Sequence, residues 1–463
     1  MTSTLSSSVD ALVQAVMADR QGIAAISEPT TPGGQDAVLD QLATTRGRGA
    51  FLPFIGSGRG WGSFVECLDG SVKLDMITGI GVHGFGHGDA CTLRAMVEAS
   101  VQDTVMQGNL QCNADAIAFM SLLLQQARTG DSRLAHVFPC CSGAVANENA
   151  LKVCMQKTAG APRILAFEHC FAGRTTTMSQ IGDSASARDG IALNTLVDYL
   201  PYMDPTDPEG SLERTMAALH AAISRYPKQH ACIVLEPVLG EGGFMPATPE
   251  FLRPVLERAR DAGIPVWFDE VQTFGRTEQM FRQQVLGLEG LVDVLTVGKM
   301  SQVCATLFAD DFNPRPGLLS GTFIGSTAGF RVGCSIIERL RDGGYYGPDG
   351  RITQLHAQFD RRARAMISAQ QDAFPMVPGA GGPLDLVGGC GGMLRLTPFG
   401  GDKAKVIDLV KRCLEAGVLL FFCGHGPFHL RMLPPVGVLE ASHLDTAMDV
   451  IEACIAESGG GTA

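Results

Sequence analysis

Ile264-Pro265-Val266-Trp267-Phe268-Asp269-Glu270 and Asp293-Val294-Leu295-Thr296-Val297-Gly298-Lys299 are the two stretches that decide the fold. Each is a short apolar run that ends in an ionisable side chain. Runs of this length, with turn residues at their ends, read as strands buried on both faces. They deliver a carboxylate, Asp269, and an amine, Lys299, near one edge of a sheet.

The same texture extends outward. From about residue 115 to 330, the apolar runs His136-Val137-Phe138, Arg163 to Phe167 and Ala231 to Leu235 join the two above. Helical patterns alternate with them at Asn147 to Gln156, Ser211 to Tyr226 and Glu250 to Ala262. Thr248-Pro249-Glu250 opens the last of these with an N-cap, a first-turn proline and an acid. Strands alternating with helices predict an α/β architecture, a mainly parallel sheet covered on both faces.

The flanks read differently. Residues 1 to about 50 are polar, with one short helical pattern at Val9 to Met17. Phe64 to Asp75 predicts a hairpin about the turn Asp69-Gly70-Ser71. A glycine-rich loop, Gly79 to Gly88, and a helix from Thr92 to Val105 follow. Gly343 to Gly350 is a break, followed by a charged helix from about Ile352 to Gln371. The expected division is an N-terminal segment, 1–88, that joins a C-terminal small domain, 343–463, around a large domain at 89–342.

Composition narrows the function. The chain has 463 residues, too many for one ordinary core. Hydrophobic residues make up 45 % and charged residues 18 %, which fits a soluble globular protein with a large core. A net charge of −12 argues against broad nucleic-acid binding. The 14 cysteines are scattered without a CxxC pair, so neither a disulfide framework nor a metal site is expected. Met1 to Gly22 lacks a basic cluster followed by an apolar core, and no apolar stretch reaches membrane-spanning length. The expected location is the cytoplasm, with no membrane partner.

Several segments between these elements carry chemistry. Cys141 to Glu148 (CSGAVANE) takes a strand into a helix through small residues. Free amides and the helix dipole at such a start favour a phosphate, although an ordinary strand-to-helix turn has the same texture. Phe171-Ala172-Gly173-Arg174 follows another strand. Its aromatic could cover a planar ring and its arginine could clamp a carboxylate; a core Phe and a surface Arg are the plainer alternative. Leu235 to Gly243 (LEPVLGEGG) sets Glu236 and Glu241 in a glycine-rich turn, where either acid could serve a ligand or simply accept from loop amides. A carboxylate and an amine at strand ends suit pyridoxal phosphate, whose aldehyde takes the amine as an imine and whose ring nitrogen takes the acid.

Together these segments resemble the class III, or omega-type, aminotransferases of the fold-type I pyridoxal phosphate enzymes. Six motifs occur in order: Ser142-Gly143 through Asn147-Glu148 to Lys152, Phe171 to Thr175, Glu236 to Gly243, Asp269 to Thr277, Gly298-Lys299, and Gly321-Thr322-Phe323. The likeness spans about residues 60 to 450. It implies a seven-stranded, mainly parallel sheet between helices, with a smaller α+β domain built from both chain ends. It implies pyridoxal 5'-phosphate as cofactor and Lys299 as the Schiff-base lysine and proton carrier. Asp269 would pair with the ring nitrogen, Gln272 with the ring hydroxyl region, Phe171 with the ring face, and Gly143 and Ala144 with the phosphate. Thr322 would reach the phosphate of a neighbouring subunit, so a homodimer with shared sites is implied.

For substrates, the resemblance implies an amine donor, a keto-acid acceptor and a ping-pong reaction. Glu241 would cover Arg431 while a terminal-amine donor binds, and release it to the acceptor's carboxylate. Arg174 would hold the other carboxylate, which favours 2-oxoglutarate. The text Lys299-Met300-Ser301-Gln302-Val303-Cys304 is similar to that of lysine 6-aminotransferases, pointing to a lysine or ornithine type of donor. Departures fall on the substrate side and on the dimer-contact loop, where Ile324 to Ala328 replaces the usual text after Thr322. Ala172 stands where histidine or tryptophan is usual, Gly86 to Ala90 lacks the usual proline, and no glycine pair follows the lysine. An aminomutase or epimerase of the same fold is the alternative reading, and a non-catalytic relative is opposed by the intact Lys299.

Overall fold

A computed structural model describes residues 3–102 and 106–459. Its centre is a seven-stranded sheet. Across the sheet the strands run Leu134–Cys140, Cys304–Ala309, Val294–Val297, Val266–Glu270, His230–Leu235, Arg163–Phe167 and Leu196–Leu200. Only Cys304–Ala309 runs antiparallel to its neighbours. Val266–Glu270 and Val294–Val297 are adjacent and parallel, with Asp269 opposite Thr296 and Glu270 opposite Val297. Every residue of these two strands is buried, which is why they read as unbroken apolar runs.

The predicted helices are present, the first two starting earlier than expected and the third shifted by one residue: Gly143–Lys157, Pro208–Arg225 and Pro249–Asp261. Each starts on a side-chain cap, from Ser142, Asp207 and Thr248 respectively. The hairpin forms from Phe64–Cys67 and Val72–Asp75. Its second strand pairs in parallel with Val418–Leu419, so the chain's two ends meet in one four-stranded sheet.

Several expectations are corrected. The polar N-terminal stretch holds two helices, Ser3–Arg20 and Asp36–Arg46, rather than one short one. The second buries no residue, so it shows no apolar face to read. The helix expected to reach Val105 spans Ala90–Ser100; the last part of that expectation, 103–105, lies outside the described residues. Two strands of the central sheet escaped the reading, Leu196–Leu200 and Cys304–Ala309, as did the helices Ala114–Ala127 and Thr327–Asp342. The cysteines are free thiols, most of them buried. Among the described residues, no helix is long and apolar enough to cross a membrane.

Candidate active site

Chain direction brings the site together. The carboxyl ends of the parallel strands lie on one edge of the sheet, where ligands of such sheets bind. Asp269 ends one strand, Lys299 follows the next, Glu236 follows His230–Leu235, Phe171 follows Arg163–Phe167, and Gly143 follows Leu134–Cys140. Cys304 joins them because its strand starts, rather than ends, at this edge. These side chains line a cavity of about 450 Å³ with Val82, Ala144, Asn147, Arg174, Glu241, Gln272 and Gln302.

Lys299 sits in the left-handed region, with φ of 52°, in the short turn that leaves its strand. A non-glycine residue there is strained, and strain of this kind collects at functional positions. Among the described residues, no hydrogen bond or ion pair engages its amine. Burial pushes the amine's pKa down, and the nearby carboxylates of Asp269 and Glu241 oppose that. The result is an amine that gives up its proton more readily than a surface lysine.

Asp269 is buried and held at both oxygens. Oδ1 accepts from Val271 N at 3.0 Å, and Oδ2 accepts from Asn147 Nδ2 at 2.7 Å. Burial raises its pKa, while these donors and the lysine work against the rise. Asn147 also donates to the carbonyl of Ala172, tying the helix after the phosphate-type loop to the Phe171 loop. Asn147 lies within the Ser142 to Lys152 motif, whose text carries no sign of this role. Its contact with Asp269 spans 122 residues, which no local pattern reveals.

Glu236 is the second residue the sequence left unassigned. Its Oε1 accepts from Phe171 N at 2.8 Å and its Oε2 from Gly240 N at 3.1 Å. Burial, with Asp269 close by, raises its pKa to about 8. Both loop-amide acceptance and a place on the cavity wall are therefore realised in one side chain. Gly240 leaves room for the Gln272 amide, since a β-carbon there would push its Oε1 aside.

The substrate-side residues divide. Glu241 Oε1 meets Arg431 Nη1 at 2.7 Å, and Arg431 is fully buried, with the rings of Phe421 and Phe244 at 5.3 and 5.9 Å. Arg174 is exposed at the cavity mouth, its guanidinium 5.0 Å from the Phe171 ring. Thr322 does not line this cavity. It is exposed on a loop whose backbone crowds Gly108.

Would these residues suit a phosphorylated, aldehyde-bearing pyridine ring? Ser142 Oγ caps Val145 N, while no acceptor among the described residues engages the amides of Gly143 and Ala144 on the cavity wall. Gln272 Oε1 is buried without a partner, as is Asn147 Oδ1. Unsatisfied buried polar atoms around a cavity are what a missing ligand leaves behind. An amine, a buried carboxylate, an aromatic face and free first-turn amides match the aldehyde, ring nitrogen, ring plane and phosphate in turn. Among the described residues, no group of three or more His, Cys, Asp or Glu side chains could hold a metal ion.

Comparison with known proteins agrees with this geometry. A family model described as aminotransferase class-III matches residues 46–455. Acetylornithine aminotransferase of Methanothermobacter thermautotrophicus is 29 % identical over 392 residues, covering 83 % of this chain and 89 % of that protein. The 2-aminoadipate transaminase of Pseudomonas putida is 27 % identical over 412 residues, covering 84 % and 92 %. The fold is similar to that of lysine aminotransferase from M. tuberculosis, with a TM-score of 0.76 at 20 % identity over 90 % of this chain and 98 % of that one. The chain belongs to the class-III aminotransferases, pyridoxal phosphate enzymes that move an amino group from an amine donor to a keto acid.

Proposed function

We propose that this protein transfers the terminal amino group of an amino acid such as lysine or ornithine to 2-oxoglutarate. The ion pair between Glu241 and Arg431 carries the reading. A buried guanidinium is costly unless an anion faces it. Glu241 supplies that anion while a donor presents its amine end. It is about one-third exposed and lines the cavity, so it has room to swing aside when a keto acid presents a carboxylate to Arg431. Arg174 at the mouth takes a second carboxylate, which favours a dicarboxylate acceptor.

Pyridoxal phosphate supplies an aldehyde and an electron-withdrawing ring that eases loss of a proton from the donor carbon. The remaining roles belong to the protein. Lys299 would hold the cofactor through its amine and would carry the proton to and from the donor carbon. Asp269 would keep a proton at the ring nitrogen. Gln272 would serve the ring hydroxyl and Phe171 the ring plane. Gly143 and Ala144 would donate amides to the phosphate. Thr322 lies on an exposed loop beside the exposed side chains of Phe323 and Leu110, the two segments joined by Asn109 N to Gly321 O. We infer that a second copy covers this face and receives Thr322 at its own phosphate site.

The first check is direct. Incubating holoenzyme with L-lysine or L-ornithine and 2-oxoglutarate should produce glutamate, whereas an aminomutase or epimerase would produce none. Glu241→Ala should then leave Arg431 uncovered. Use of glutamate as donor, relative to ornithine, is expected to rise roughly ten- to a hundredfold in kcat/KM, the worth of a charged hydrogen bond. An unchanged donor ratio removes the gate.

A further inference from the structure

The sheet that carries Arg431 presents a second buried guanidinium beside it. Strands Val387–Cys390, Met393–Leu396, His429–Met432 and Phe421–Cys423 pair antiparallel, which puts Gly388, Arg395, Arg431 and Phe421 in one row. A row of register partners shares one face of a sheet. Arg395 is only 4 % exposed. Unlike Arg431, it has no carboxylate within ion-pair distance among the described residues. Keeping a bare cation buried is expensive, and burial accordingly lowers its pKa.

The contacts of Arg395 show what the cation does. Nη2 donates to the carbonyls of Asp385, at 2.8 Å, and Val387, at 3.4 Å. Nη1 donates to Met245 Sδ at 2.8 Å. Gly388 makes the space, because a β-carbon there would collide with the guanidinium. Met245 starts the return strand of a small hairpin, Val238–Leu239 with Met245–Pro246, and the turn of that hairpin carries Glu241. The turn meets the neighbouring strands at other points too. Gly424 N donates to Glu241 O at 2.8 Å. His429, held by Thr397 through a 2.9 Å hydrogen bond, lies against Gly243.

We propose that Arg395 is a positioning residue for the acceptor's carboxylate site: by gripping Met245 it seats the Glu241 turn on the sheet and sets Glu241 against Arg431. This rests on the reading of Glu241 and Arg431 as a gate. Only a planar fork reaches two carbonyls and a thioether at once, so an ammonium would serve the seat poorly.

The test uses holoenzyme and two donors, L-ornithine and L-glutamate, with kcat and KM measured for each alongside melting temperature and bound cofactor. Arg395→Met should shift the donor ratio toward glutamate by about fivefold, the worth of one ordinary hydrogen bond. Arg395→Lys should recover part of that shift. In the Glu241→Ala background, Arg395→Met should add nothing further, since both changes act on one contact. Met245→Leu approaches the seat from its other side and should move the ratio the same way, which keeps the test open if Arg395→Met does not fold. Equal losses with both donors, or effects that simply add to Glu241→Ala, would overturn the proposal. A shift in Glu241→Ala with none in Arg395→Met or Met245→Leu overturns this proposal and leaves the gate standing. No shift in Glu241→Ala overturns both.

Discussion

Lys299→Ala is expected to lower kcat/KM for amino transfer by about 10⁴-fold or more while leaving the fold intact. The size follows from what the residue is asked to do. A positioned acid–base group alone contributes about 10²- to 10⁴-fold, and loss of the covalent link to the cofactor adds to that. The fold should survive because no hydrogen bond or ion pair engages the amine among the described residues. Burial disfavours its charge, so removing it relieves a cost. The neighbouring contacts do not depend on the side chain. Met300 packs against Gly84 and Gly275, and Ser301 Oγ bonds Val303 O. Three measurements decide the matter: initial rates with donor and 2-oxoglutarate, melting temperature, and cofactor lost on dialysis. The variant should release pyridoxal phosphate more readily than the parent and melt at a similar temperature. A variant with activity within tenfold of the parent would remove Lys299 from the chemistry.

What could be read from the chain follows from which interactions are local. The Asp269 and Lys299 strands are buried along their whole length, so their text is unmixed and their ends stand out. Leu196–Leu200 escaped because it is an edge strand. Its Asp198 faces Arg163 and His230 rather than a core, so the run does not look apolar. Cys304–Ala309 is apolar but for Thr306, yet it turns back antiparallel straight after the lysine, where an alternating strand–helix order predicts a helix. The motif order pointed to the family, and with it the cavity wall. It could not show that Asn147 bonds Asp269, that Glu236 takes two loop amides, or that Arg395 sits opposite Arg431. Those pairings join segments far apart in sequence and depend on sheet register, which the text does not display.

Asp269→Asn should produce the second large loss, roughly 10²- to 10³-fold in kcat, with weaker cofactor binding. The change keeps the shape and removes the charge. A carboxylate buried against a protonated ring nitrogen would form a buried pair, and breaking such a pair by removing one partner costs about 3–5 kcal/mol. That energy is shared between holding the cofactor and holding the ring proton, and each factor of ten in rate takes about 1.4 kcal/mol. The amide also fits its surroundings badly. Both oxygens of Asp269 now accept from donors, Val271 N and Asn147 Nδ2, so an asparagine NH₂ must face at least one donor or turn toward the ring. Asn147→Ala should cause a smaller loss in the same direction, because it frees Oδ2 without removing the charge. The two variants together separate charge from orientation. Equilibrium dialysis with pyridoxal phosphate reads the binding part, and saturating-cofactor kinetics read the remainder. If Asp269→Asn binds cofactor and turns over as the parent does, the ring proton is held by some other group. Glu236, a buried carboxylate close to Asp269 on the same wall, would be the first to examine.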